Sequence, residues 1–369
     1  MEPVDVCVIG AGVIGLAIAE RLAGPGKDLV VCERHDSFGR ETSSRNSEVI
    51  HCGMYYAEDL LKTTLCVRGN PKLYELCARA GIPHRKTGKI VVATVEEESA
   101  QLHRILAQGG KNGVPGLRLI TAQEIAEREP DARGCLGLYS PESGIVDSHR
   151  LMEYLEHTAA SKGATVAYGC EVTGIHRETS RYSVCIRQSD GEEITLSAMV
   201  VINSAGLSAD SVAHMAGVEV ERAGYRIYPC KGEYFRIADR HRGRIRHLVY
   251  PTPSPVHLGA HVVVGLDGGL KIGPDSNYVD RIDYTVDAGH QREFFEKASR
   301  FLPFLSYEDL SPDMSGIRPK LYRRGEPFRD FVIREETDRG LPGLINLIGM
   351  DSPGLTSCLA IAEKVENLL

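Results

Sequence analysis

The chain has 369 residues, an ordinary apolar fraction of 42% and a net charge of −7. Its length exceeds what one hydrophobic core normally fills, so two domains are expected, and the acidic balance gives no footing for a nucleic-acid partner. No apolar run approaches the about 20 residues of a membrane span, and the ten cysteines show neither a C-x-x-C pair nor metal-ligand spacing, so they read as reduced thiols in a cytoplasmic chain without a metal site.

Met1-Glu2-Pro3 leads straight into an apolar strand, so no leader segment is expected. That strand, Val4 to Ile9, runs into Gly10-Ala11-Gly12-Val13-Ile14-Gly15, and an apolar helix follows through Leu22. A second apolar strand, Leu29 to Cys32, ends in Glu33-Arg34, with the acid 18 residues after Gly15. In the dinucleotide-binding βαβ unit the first glycine makes the tight turn and the second admits a pyrophosphate. The third lets helix and strand pack closely, and the acid accepts hydrogen bonds from ribose hydroxyls. Glycines, flanking strands and acid together carry far more weight than the glycines alone.

A nicotinamide-binding half would continue in regular βα alternation. Instead come Thr42-Ser43-Ser44-Arg45-Asn46-Ser47, then Glu48-Val49-Ile50-His51-Cys52-Gly53-Met54-Tyr55-Tyr56. Hydroxyls and backbone N–H groups suit the phosphate–ribityl chain of a flavin, and small residues admit its flat ring; the same residues also favour helix starts.

Helical blocks are expected over 58–80, broken at Pro71, then a strand at 89–94 and a polar helix near 96–109. Thr121-Ala122-Gln123-Glu124 reads as a capping box, and a helix runs from Ser148, its N-cap, to Lys162, stopped by Gly163. Strands follow at 164–168, 171–178, 182–188 and 193–202, the last ending in Asn203-Ser204-Ala205-Gly206 before a helix near Ala209. From 222 to 288 the pattern is β-rich, read as one antiparallel sheet walling a substrate pocket; Arg240 to Arg246 reads as a solvated loop. A helix at 289–302 precedes strands near 316–322, 330–334 and 344–348. A final helix starts after Pro353-Gly354, with free N–H groups at its N-terminus. The expected class is α/β (α+β overall): a Rossmann-like cofactor domain in three pieces, 1–85, 145–215 and 315–369, with an antiparallel-sheet substrate domain inserted as 86–144 and 216–314.

Several segments carry a resemblance: Asn46-Ser47-x-Val49-Ile50-His51-x-Gly53-x-Tyr55-Tyr56, Gly88-Lys89-Ile90-Val91-Val92-Ala93-Thr94, Gly144-Ile145-Val146-Asp147 and Lys231-Gly232-Glu233-Tyr234. Leu258-Gly259-x-His261, Gly316-x-Arg318 and Ser352-Pro353-x-x-Thr356-Ser357 continue it. The chain resembles the D-amino-acid-oxidase-like superfamily of FAD enzymes, and within it the L-2-hydroxyglutarate dehydrogenase/oxidase family. The resemblance implies tightly held, non-covalent FAD. It implies cofactor contacts at Gly10, Gly12, Val13, Ile14, Gly15, Glu33, Arg34, and from Thr42 through Ser47. Further contacts are implied at Val172, beside the adenine, at Ala205 and Gly206, and at Ser352, Gly354, Leu355 and Thr356.

Oxidising a 2-hydroxy acid by hydride transfer to flavin N5 needs a carboxylate clamp and a base for the hydroxyl proton. Arg318 is the expected clamp, because a planar guanidinium binds a carboxylate bidentately. His51 and His261 are the expected bases, at most one of them acting. Lys231 is expected at the flavin edge or on a second substrate carboxylate, with Tyr55, Tyr56, Tyr234 and Tyr250 lining the pocket. Glu48, Pro319-Lys320-Leu321, Gly349-Met350-Asp351 and Gly354-Leu355 depart from the family pattern; Glu48 and Asp351 add negative charge that Lys231 or Lys320 would have to offset. A D-amino-acid, glycine or sarcosine-type amine oxidase is the alternative on the same fold, and a protein using FAD only structurally is a second. Oxygen, a quinone or a soluble carrier would serve as electron acceptor, a quinone requiring docking at the inner face of the membrane.

Overall fold

The computed structural model describes residues 2–253 and 260–369. Leu258 and Gly259 of the expected Leu-Gly-x-His motif lie outside the described residues. The chain divides into two compact units, one of Met1–Ser44, Ser148–Pro229 and Arg318–Leu369, the other of Arg45–Asp147 and Cys230–Ile317.

Among the described residues the first unit is built on an eight-stranded sheet. Its centre is parallel: Glu2–Ile9 lies between Leu29–Cys32 and Glu193–Asn203, Thr165–Ala167 extends it beyond Leu29–Cys32, and Leu341–Ile348 pairs with the C-terminal end of Glu193–Asn203. The strands Cys170–Arg177, Tyr182–Gln188 and Val332–Glu336 add antiparallel edges. Parallel strands buried on both faces read as continuous apolar runs, which is why Val6, Cys7, Val8, Val201, Ile202, Leu344 and Ile345 are all buried. The helix Val13–Leu22 packs against the helices Ser148–Ser161 and Gly354–Glu366.

In the second unit Tyr228–Ile237, shared at its start with the first unit, pairs antiparallel with Leu270–Gly273, which pairs in turn with His261–Val264. A second sheet holds Lys89–Ala93 between Leu136–Ser140 and Leu248–Pro251. One apolar cluster, with Phe235, Phe294 and Phe301, and another, with Met54, Val91 and Tyr250, fill this unit.

Several boundaries differ from expectation for identifiable reasons. Residues 45–85, expected with the cofactor domain, belong to the second unit: Val49–Ile50 pairs with Gly144–Val146, and Asn70 donates to the Glu142 carbonyl at 2.9 Å. Residues 216–229 go the other way, because Val218, Val220, Tyr225 and Ile227 join the first unit's core. Pro71 does not break its helix, which runs unbroken as Leu61–Ala80. The proline costs about 3 kcal/mol, and burial of Leu65, Cys66, Leu73, Leu76 and Cys77 offsets it. Ser148 lies inside its helix rather than at the N-cap.

The β-rich stretch is not one sheet either, since Leu248–Pro251 pairs parallel with Lys89–Ala93. Leu310–Lys320 starts in the second unit's sheet, beside Tyr228–Ile237, before the chain re-enters the first. The helix expected at 289–302 is shorter, Gln291–Ala298. The arginine-rich loop is laced with acids: Arg240 and His241 pair with Asp309 at 2.6 and 3.1 Å, and Arg244 with Asp131 at 2.7 Å. The capping box is present, with Glu124 N–H donating to Thr121 Oγ1 at 3.2 Å and Thr121 N–H to Glu124 Oε2 at 2.9 Å.

Candidate cofactor and substrate sites

The first unit presents a turn of bare backbone. Gly10 has φ of +100°, and a Cβ on it would stand 2.9 Å from the Ser204 carbonyl oxygen. A Cβ at Gly15 would lie 2.0 Å from the Gly10 carbonyl oxygen, so only glycine allows this strand and helix to approach. Val13 N–H donates to Ser43 Oγ at 3.0 Å, which ties the hydroxyl segment to the start of the helix. Ser44 Oγ reaches the Glu41 carbonyl, and Ala205 N–H is held by Asn203 at 3.3 Å.

Glu33 is 7% exposed, and its carboxylate accepts from the N–H groups of Ala11 at 2.8 Å and His35 at 2.9 Å. Arg34 instead turns to Glu41 and to Ser208 Oγ. Val172 is buried beside an irregularity in its strand pairing. At the last helix, Gly354 would bring a Cβ within 3.5 Å of Ile14 Cδ1, and Thr356 and Ser357 are buried. Lys320 pairs with Asp351 at 3.1 Å, which offsets the charge of Asp351, one of the two acids that depart from the family pattern. Turn, acid and hydroxyl segment fit the pyrophosphate and ribose of FAD. Arg318 is half-buried and opens the last segment of this unit.

In the second unit Arg45 lies over the Tyr284 ring at 4.2 Å, and its carbonyl crowds Gly316, where a Cβ would sit 1.9 Å away. Asn46 Oδ1 accepts from Glu48 N–H at 2.7 Å, holding Glu48 at φ of 54°. Ser47 and Tyr234 share a hydroxyl hydrogen bond of 2.9 Å. The His51 carbonyl accepts from Asn70 Nδ2 at 2.8 Å. Burial above all, then the charges of Lys89 and His261, hold the His51 imidazole well below its ordinary range, so it is neutral near pH 7. His261 is 5% exposed and stacks on Tyr250 with ring centres 3.7 Å apart. Tyr56 lies 5.7 Å from the Lys62 ammonium.

Lys231 forms a buried pair with Glu233 at 3.2 Å and donates to the Thr285 carbonyl, while His290 meets the same carboxylate at 2.6 Å. Glu233, Asp275 and His290 bring ligand atoms within 4.8 Å of one another, but the Lys231 ammonium already supplies the positive charge there.

Sequence reasoning missed Lys89. It opens the strand Lys89–Ala93, is 1% exposed, and places its ammonium 4.0 Å from the centre of the Tyr250 ring and 5.6 Å from that of Tyr55. Burial lowers its pKa to about 8. The signal was a lysine at the head of an otherwise apolar run, Lys89-Ile90-Val91-Val92-Ala93.

A βα turn closed to any side chain, followed by a strand ending in a buried acid, defines a dinucleotide-binding domain. The chain belongs to the DAO family of FAD-dependent oxidoreductases, whose profile matches residues 5–368. It is 37% identical to the mitochondrial L-2-hydroxyglutarate dehydrogenase of Arabidopsis thaliana, over 99% of this chain and 83% of that one. With the human mitochondrial L-2-hydroxyglutarate dehydrogenase it shares 28% identity, over 98% of this chain and 88% of the relative. Among solved structures, the FAD-bound L-α-glycerophosphate oxidase of Mycoplasma pneumoniae superposes with a TM-score of 0.87 at 24% identity, covering 100% of this chain and 95% of that one. Glycine oxidase from Geobacillus kaustophilus superposes at 0.80 and 25% identity, covering 100% and 95%. No helix among the described residues is long and apolar enough to cross a membrane.

Proposed function

We propose that the chain oxidises a small 2-hydroxy acid of the L-2-hydroxyglutarate kind to its 2-oxo acid. The observation that carries this reading is similarity along 99% of the chain to an L-2-hydroxyglutarate dehydrogenase. FAD, when bound, would supply the two-electron acceptor for hydride from the carbon that bears the hydroxyl. Gly10, Gly12 and Gly15 would admit its pyrophosphate, Glu33 would accept from its ribose, and Thr42 to Ser47 with the start of the last helix would hold the remainder.

His51 takes the hydroxyl proton. Its imidazole is neutral at working pH, the protonation state a base requires. His261, stacked on Tyr250, adds its charge to the field around His51. Arg318 clamps the carboxylate on the reacting carbon through paired N–H donors. Lys231 has a lesser part than its sequence context suggests, because Glu233 already occupies it.

The test is anaerobic bleaching of the flavin absorbance by a panel of L- and D-2-hydroxyglutarate, lactate, glycine, sarcosine and D-amino acids. Rapid bleaching by L-2-hydroxyglutarate is expected. Bleaching by an amine alone would replace the reading with an amine oxidase, which needs no such base, and bleaching by nothing in the panel would overturn it.

A further inference from the structure

Lys89 poses a physical problem that the proposed chemistry does not solve. An ammonium taken out of water costs several kcal/mol unless an anion or a set of acceptors replaces its hydration. This one is 1% exposed. Among the described residues no carboxylate pairs with it; its neighbours are the rings of Tyr55 and Tyr250, the imidazole of His51 and the thiols of Cys52 and Cys66. The two rings offer it cation–π contacts, which offset part of the cost and leave the charge without a counter-ion. The hydroxyl of Tyr55 is likewise buried with no hydrogen-bond partner. The Lys89 ammonium and the Tyr55 hydroxyl are therefore two buried hydrogen-bond donors suited to a carboxylate.

We propose that Lys89, with the Tyr55 hydroxyl, binds the second carboxylate of a dicarboxylic substrate, the one not attached to the reacting carbon. The assignment rests on the 2-hydroxy-acid reading above and deepens it, since it makes Lys89 the determinant of dicarboxylate over monocarboxylate selection. Specificity of this kind is strong because a monocarboxylate of equal length would leave the ammonium unpaired in the complex as well. It also separates Lys89 from Lys231, whose charge Glu233 already balances.

The experiment measures dissociation constants of two product-like ligands on the flavin-loaded protein by titration calorimetry, 2-oxoglutarate and 2-oxopentanoate, which differ only by the second carboxylate. Wild type is expected to prefer 2-oxoglutarate by at least about 100-fold, and Lys89→Met to reduce that ratio by at least about 30-fold. Tyr55→Phe is expected to reduce it several-fold. Flavin content and the melting profile establish that each variant is folded. If Lys89→Met does not fold, the pH series on wild type decides instead: the preference falls as Lys89 deprotonates across pH 7 to 9, around its value of about 8.

Equal weakening of both ligands, or no change in the ratio, overturns the assignment. Bleaching of the wild-type flavin is scored separately. If L-2-hydroxyglutarate bleaches it while the ratio ignores Lys89, the function stands and the assignment falls. If no 2-hydroxy acid bleaches it, the function falls, and the ligand ratio still decides what Lys89 binds.

Discussion

At the scale of single residues the strongest feature is a pair of depressed titrations in one unit. His51 is held neutral by burial and by neighbouring positive charge. The folded protein therefore binds fewer protons than the unfolded chain just below pH 6.5, so His51 contributes stability that declines as pH falls through that region. For catalysis the consequence is no loss of rate between pH 7 and 6, where an ordinary histidine base would lose about half its activity near pH 6.5. A pH profile of kcat/KM checks this, and His51→Gln is expected to lower kcat by about 100- to 10,000-fold with flavin content retained.

Lys89 has the same sign. Its folded pKa of about 8 lies below the ordinary 10.5, so burying it costs about 3 kcal/mol at neutral pH, recovered as pH rises from 8 through 10.5. Lys89→Met is therefore expected to raise the thermal midpoint at pH 7 and to lose that advantage by pH 10.5, which calorimetry at the two pH values measures. Arg318→Lys keeps the charge but not the fork, and is expected to lower kcat/KM at least about 30-fold, mainly through KM.

At the scale of elements, the cofactor turn depends on close approach between a strand end and the next helix. Gly15→Ala places a Cβ 2.0 Å from the Gly10 carbonyl oxygen, so the turn itself must shift. Overpacking of this kind costs about 1 to 3 kcal/mol or more, and the variant is expected to purify with little or no flavin. Absorbance at the flavin band relative to protein reads this directly. The same pattern recurs at Gly316, whose missing Cβ makes room for the Arg45 carbonyl. Sequence inspection identified Gly10, Gly12 and Gly15 because they recur at a known spacing beside a strand. Gly316 was legible only through the family motif, because its neighbour is some 270 positions away in the chain.

At the scale of the whole molecule, FAD binds the folded chain and stabilises it by mass action, by about 2.7 kcal/mol at a hundredfold excess over Kd. Glu33→Ala removes the buried acceptor from the N–H groups of Ala11 and His35. It is expected to raise the FAD Kd by about tenfold or more, so that the same FAD concentration shifts the melt by about 1.4 kcal/mol less; melting with and without added FAD measures both.

The dinucleotide turn, the parallel strands around it, the capping box at Thr121 and the family itself were determined by the sequence alone. Each depends on residues close together in the chain or on a periodicity with one physical reading. What only the tertiary structure decided depends on partners distant in sequence. Pro71 stays helical because a buried face outweighs its local cost, and residues 45–85 join the second unit because Val49–Ile50 finds its partner strand at Gly144–Val146. Alternation puts Lys231 and Glu233 on one face of their strand, but only folding buries the pair and brings it to Thr285 and His290. Lys89 reads as an ordinary strand-end lysine until folding surrounds it with Tyr55, His51 and Tyr250 from separate segments. Burial is a property of the folded chain, and burial turns that lysine into a charge in need of a counter-ion.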